Sequence, residues 1–137
     1  MARVSKRCKD CEPDSKRPAP HPGPRCATHH RAVKAARKEA KHASWVRATY
    51  GLMDGQYDQL KEAQGGVCAI CQKATGVRKK LAVDHDHKTE HVRGLLCGPC
   101  NKLLGFARDN PEFFRRAANY LENPPAFDVI GKVKPGV

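Results

Sequence analysis

Six of the seven cysteines form three C-x-x-C pairs, Cys8/Cys11, Cys68/Cys71 and Cys97/Cys100, and the seventh, Cys26, opens a C-x-x-H ending at His29. Two C-x-x-C turns place four thiolates tetrahedrally around one Zn²⁺ and leave no position for water. Cys68, Cys71, Cys97 and Cys100 therefore predict a structural zinc. Cys8, Cys11, Cys26 and His29 predict a second, with His30 competing for the last position. The alternative for this second set is a basic arm with incidental cysteines. The two sets use every cysteine, whereas an odd number of disulfide-forming cysteines orphans a thiol. A reduced, cytosolic, zinc-binding protein is the consistent reading.

A second chemistry lies between the last two C-x-x-C pairs, in Val83-Asp84-His85-Asp86-His87. Hard carboxylate oxygens suit Mg²⁺. An imidazole with a pKa near neutrality suits a general base for water. Neighbours in a straight strand point to opposite faces. Asp84 and His85 converge on one phosphate only if the strand ends or curls there, which the polar turn after them permits. The alternatives are a solvated turn or another zinc site. Asn101 directly follows Cys100. Its carbonyl oxygen is a candidate to complete a Mg²⁺ site with Asp84; a local cap or helix-surface residue is the other reading.

These residues need elements to position them. Residues 1–30 read as an N-terminal zinc knuckle, whose proline run from Pro13 to Pro24 excludes helix. Residues 30–49, rich in Ala, Lys and Arg, predict a basic helix stopped by Gly51. Asp54 is the predicted N-cap of a second helix at 55–64, ended by Gly65-Gly66. Residues 73–80 read as a polar basic loop. Leu81 to Asp84 and Val92 to Leu96 predict short strands around a turn at 86–91. Pro99 suits the first turn of a helix at 98–107. Asn110 and Pro111 open another, Glu112 to Leu121, ended by Asn123-Pro124-Pro125. Its Phe113, Phe114, Ala117, Tyr120 and Leu121 form an apolar stripe. The organisation expected is a zinc knuckle (1–30), a basic helical region (31–66), a catalytic core with a C-terminal helix (67–123) and a tail (124–137).

Composition fits this plan. Aromatics are 6% of the 137 residues and the mean hydropathy is −0.69. The core must be small, and small cores need a staple. No secretory h-region follows the basic start, and no stretch approaches transmembrane length, so a membrane partner is not expected. The net charge is +12, with 13 Lys/Arg against 4 Asp/Glu in residues 1–50 and 13 against 10 thereafter. A chain this basic suits a polyanion, usually nucleic acid. Arg31, Lys34, Arg37, Lys38 and Lys41 on the first helix are candidate phosphate contacts, and Arg93 is another; a solvated surface is the bland alternative.

The segment from Tyr50 to Leu121 resembles the recombination endonuclease VII family of His-Me finger (HNH, ββα-metal) nucleases. Carrying the resemblance are Tyr50-Gly51-Leu52, Gln64-Gly65-Gly66-Val67-Cys68-Ala69-Ile70-Cys71, Val83 to His87, Val92-Arg93-Gly94-Leu95-Leu96-Cys97, Cys100-Asn101 and Leu104-Gly105. It implies a small α+β, zinc-stabilised fold: a ββα-metal core with added helices and an N-terminal zinc knuckle. It implies a DNA endonuclease in which Asp84 and Asn101 bind catalytic Mg²⁺, Mn²⁺ being a substitute. His85 is the implied general base and His87 a supporting or phosphate-contacting residue. The implied products carry 5′-phosphate and 3′-hydroxyl ends. Duplex and branched DNA, nicking and junction resolution, and monomer and homodimer all stay open. So does a phage or prophage origin, with action in the host cytoplasm. The rival class is a non-catalytic zinc module that binds nucleic acid. It shares the cysteines and the charge but has no use for Asp84, His85 and Asn101 together.

Overall fold

Cys26 holds an extended backbone (φ −71°, ψ 165°) immediately before α1 (Ala27–Tyr50). The structure, a computed structural model, describes residues 7–74, 79–134 and 136. They fall into two compact units, Met1–Tyr57 and Asp58–Val137. In the first, α1 starts three residues earlier than the composition of its basic stretch suggests. The reason is local: Cys26 and His29 stand three apart, a spacing that brings side chains together at a helix start. Ahead of the helix, the proline-rich loop is pinned by bridges pairing Arg7 with Pro18 and His21 with Arg25. Gly51 (φ +69°) stops the helix, its N–H donating to the Arg47 carbonyl at 3.0 Å. That left-handed cap suits glycine.

Helix α2 (Gln56–Ala63) follows a turn through Asp54 and Gly55. Asp54 is not its cap. The Asp54 carboxylate pairs with Arg47 at 2.6 Å. The Gln56 side-chain oxygen instead accepts the Met53 N–H at 2.8 Å, which is half of a capping box. Gly55 is left-handed (φ +83°), so the chain is still turning at the position where an Asp54 cap would need the helix to begin. Gly65 and Gly66 close α2, with N–H bonds to the carbonyls of Glu62 and Lys61, both 2.8 Å.

In the second unit, β1 (Ala82–His85) pairs antiparallel with β2 (Val92–Leu96). The polar loop expected over 73–80 lies partly outside the described residues. Helix α3 (Gly98–Phe106), with Pro99 in its first turn, packs against β1. The core is as small as composition requires: Cys68, Leu81, Val83, Leu95, Leu96, Cys100 and Ala107 are buried. Helix α4 (Pro111–Glu122) is capped by Asn110, whose side chain accepts the Glu112 N–H at 2.9 Å. Its apolar stripe is only partly covered, for Tyr120 and Leu121 are exposed. A short helix, α5 (Ala126–Val129), interrupts what reads as a tail.

Candidate active site

Two donor clusters form. Cys8, Cys11, Cys26 and His29 bring their ligand atoms within 4.8 Å of one another, as do Cys68, Cys71, Cys97 and Cys100. In the first, His29 Nδ1 lies 3.3 Å from Cys8 Sγ, 3.3 Å from Cys11 Sγ and 3.4 Å from Cys26 Sγ. Sulfurs stand 3.8 Å apart between Cys11 and Cys26 and between Cys71 and Cys97. A tetrahedral Zn²⁺ with ~2.3 Å Zn–S bonds separates its sulfurs by ~3.8 Å, so the edges match. All seven thiols are free. His29 takes the last position; His30 instead stacks on His21 at 4.4 Å.

The thiols need a cation to ionise together. Burial pushes Cys8 and Cys68 up, but backbone N–H bonds outweigh it and draw each down to about 6. Burial and the three neighbouring sulfurs push Cys100 up to about 12.

The second cluster pins the elements around Asp84. Cys97 is the N-cap of α3, Cys100 lies in its first turn, and Asn101 follows. The Cys68 knuckle docks on β2 through the Ala69 N–H, which donates to the Leu95 carbonyl at 3.1 Å. Gln64 extends that sheet with a side chain. Its amide nitrogen donates to the Leu95 carbonyl at 2.9 Å and its oxygen accepts the Leu95 N–H at 2.8 Å. Gly94 leaves room for it, since a Cβ there would come within 3.2 Å of the Gln64 oxygen.

The sheet register breaks at the chemically interesting pair. Asp84 faces Gly94, yet the next residue, His85, faces Val92. Arg93 is the extra residue of a β-bulge, a device that re-aims side chains. Asp84 is buried and His85 half-buried. Arg93 folds its guanidinium onto Asp84, with Nε–Oδ2 at 2.8 Å and Nη2–Oδ1 at 3.0 Å. Nη2 also donates to Asp109 Oδ1 at 3.0 Å. Asp84 and then Asp109 push the guanidinium pKa still higher. Arg93 therefore gives its guanidinium to carboxylates while the residue itself stays exposed.

The remaining residues of the Asp-His run separate. Asp86 builds the turn: Oδ1 accepts the N–H groups of Lys88 and Thr89 at 2.8 and 2.9 Å. Those bonds hold its carboxyl below the usual range. The His87 ring packs edge-on against His85, centroids 4.9 Å apart. Its Nδ1 lies 2.9 Å from Asp109 Oδ2. Asp109 and Arg108 both adopt left-handed backbone, at φ +53° and +52°. Each such non-glycine residue costs roughly 1–3 kcal/mol. Asp109 carries no signal in the sequence, where it falls between one predicted helix and the Asn110 that opens the next. In the other unit, Arg31, Lys34, Arg37, Lys38 and Lys41 are all exposed on α1. At 100° per residue they span roughly 120° of the helix.

An antiparallel strand pair followed by a helix, joined by a four-cysteine cluster, is the ββα-metal arrangement, a nuclease architecture. The family model for recombination endonuclease VII matches residues 43–123. The chain belongs to that family, whose members are hydrolases acting on DNA. Similar proteins include the Gene 59 protein of Mycobacterium phage L5, 55% identical over 131 residues covering 93% of this chain and 80% of the phage protein. The Gene 59 protein of Mycobacterium phage D29 is 54% identical, covering 93% and 79%. Both similarities reach beyond the family match into the N-terminal unit. Among solved structures, the ββα-Me type II restriction endonuclease Hpy99I is similar at 32% identity, over 47% of this chain and 40% of its own, with a TM-score of 0.37. Among the described residues, no helix is long and apolar enough to cross a membrane.

Proposed function

We propose that the protein is a Mg²⁺-dependent DNA endonuclease whose cutting site is carried by Asp84, His85 and Asn101, within a core spanning 67–123. The observation that carries this reading is the register break between Asp84 and His85. In a regular strand the two would face apart. The bulge supports bringing a buried carboxylate and a half-buried imidazole to one substrate.

Asp84 and Asn101 would hold the cation. Their donor set fits it: Mg²⁺ takes one or two carboxylates and leaves its other positions to water and phosphate. Arg93 uses one edge of the Asp84 carboxylate, and a carboxylate offers about four lone-pair sites, so donor capacity remains. The chemistry Mg²⁺ supplies when bound is charge stabilisation at the phosphate and the leaving oxygen. His85 takes the proton from the attacking water. Asn101 rides on α3, which packs on β1, the strand of Asp84. Arg93 keeps the Asp84 carboxylate oriented. His87 contacts or supports a phosphate. The exposed basic face of α1 holds DNA through its phosphates, which positions the duplex without reading sequence.

The test is cleavage of supercoiled plasmid and of a synthetic four-way junction, with Mg²⁺, with Mn²⁺ and with EDTA, by wild type and by His85→Ala. Cutting by the wild type with either cation and none by the variant is the expected result. Preference for the junction would make the enzyme a resolvase, and equal cutting of plasmid a nicking or duplex nuclease. Tight DNA binding with no cutting of either substrate would leave a binding module.

A further inference from the structure

Beside the proposed cutting site lies a cleft of about 340 Å³, lined by Asp86, His87, Lys88, Gly105, Arg108 and Asp109. Both carboxylates in that lining are already engaged. Asp86 caps its turn through Lys88 and Thr89. Asp109 accepts from Arg93 Nη2 at 3.0 Å and meets His87 Nδ1 at 2.9 Å. The charge left for a ligand is that of Lys88 and Arg108, with the His87 ring beside them.

We propose that Asp109 is a positioning residue that holds His87 through Nδ1, and that the cleft so formed receives a DNA backbone phosphate next to the one being cut. The proposal deepens the nuclease reading and rests on it for the identity of the ligand.

The chemistry of the pair is specific. An ionised carboxylate can only accept hydrogen bonds, so Nδ1 must carry the proton. Nε2 is then the ring nitrogen turned to the cleft, and it donates to a phosphate oxygen in the imidazolium form. The His87 side chain is 65% exposed while that of Asp109 is 17% exposed, so a fixed acid anchors an accessible ring. The Arg93 guanidinium ties Asp109 Oδ1 to the same fork that holds Asp84. One chain of bonds thus links the cleft to the cutting site. The left-handed backbone at Arg108 and Asp109 turns two adjacent residues into this place. Their N–H groups are secured to the carbonyls of Gly105 at 3.1 Å and Leu104 at 3.0 Å. Costly backbone kept at a site is a recognised mark of function.

Asp109→Asn is the discriminating variant, because asparagine tolerates left-handed backbone. Its single oxygen satisfies Arg93 or His87 but not both. With the oxygen taken by the charged Arg93, its NH₂ faces Nδ1 and forces the proton to Nε2. The experiment uses the full, zinc-loaded chain without Mg²⁺, in buffer alkaline enough to keep the ring neutral. Ring ¹⁵N shifts should show Nδ1–H in wild type and Nε2–H in Asp109→Asn. Binding to a plain DNA duplex, in Mg²⁺-free and chelator-free buffer acidic enough to protonate the ring, is the second arm. His87→Ala, Asp109→Asn and the double variant should each weaken binding about fivefold, without additivity. Arg108→Ala should flatten the salt dependence by about one phosphate contact. Nε2–H in wild type, or a tautomer unchanged in Asp109→Asn, overturns the positioning role. Unchanged affinity in both Arg108→Ala and His87→Ala overturns the phosphate cleft. Failure of the wild type to cut with Mg²⁺ would count against the nuclease reading alone, since both arms are read without cutting.

Discussion

The two cysteine clusters have nearly the same chemistry and different surroundings. The Cys8–Cys11–Cys26–His29 set ties a proline-rich loop to the first turn of one long basic helix. The Cys68–Cys71–Cys97–Cys100 set ties a knuckle to the start of α3, and the knuckle in turn bonds to β2. A ligand set of one kind therefore anchors a charged surface in one unit and the proposed cutting site in the other. Metal type says little about role; the elements stapled together decide it.

The largest effect expected is from Cys100→Ser. Structural zinc contributes on the order of 10–16 kcal/mol of apparent binding energy in small domains, and the core it supports is small. One zinc should be lost, protease resistance of residues beyond 58 should collapse, and cutting should vanish. Cys26→Ser should also lose one zinc yet still cut at saturating DNA, with weaker binding. Equal loss of cutting in the two variants would erase the contrast between the units.

Next in size is His85→Ala. A general base contributes about 10²–10⁴-fold, so single-turnover cleavage should fall by that range while zinc content and DNA affinity hold. A smaller change comes from replacing Lys34, Lys38 and Lys41 together by alanine. The slope of log affinity against log salt should become shallower by about 0.9 per lysine in phosphate contact, with the rate at saturating DNA unchanged. An unchanged slope would remove α1 from the interface.

The smallest concerns the turn after β1. Backbone N–H groups of Thr89 and Lys88 hold the Asp86 carboxyl below its ordinary 3.8. A depressed folded pKa stabilises above the unfolded value and is lost as pH falls through the folded one. Protection of the Lys88 and Thr89 amides should therefore be steady above about pH 4 and fall below it. Asp86→Asn should lose the dependence.

Much of this architecture could be read along the chain because it is local. Gly51, Asn110 and the Gly65-Gly66 pair end or cap helices where their backbone preferences require. The cysteine spacing announced both clusters. What escaped depends on which partner each side chain finds once the chain is folded. Asp54 looks like a cap until Arg47 claims it. Gln64 bonds to Leu95 as if it were a strand. Asp109 gains meaning only when the fold brings Arg93 and His87 to it. The grip of Arg93 on Asp84 and Asp109 escaped because a bulge cannot be seen in one strand alone.

That bulge makes the spacing of β2 part of the inheritance of the proposed site. Deleting Arg93 would restore an even ladder and take away the guanidinium that holds the Asp84 carboxylate. The Asp84-to-His87 motif copied onto another hairpin would then arrive without its geometry. A useful graft must carry the longer partner strand with it, so the transferable unit is a mismatched pair of strands and not a string of four letters.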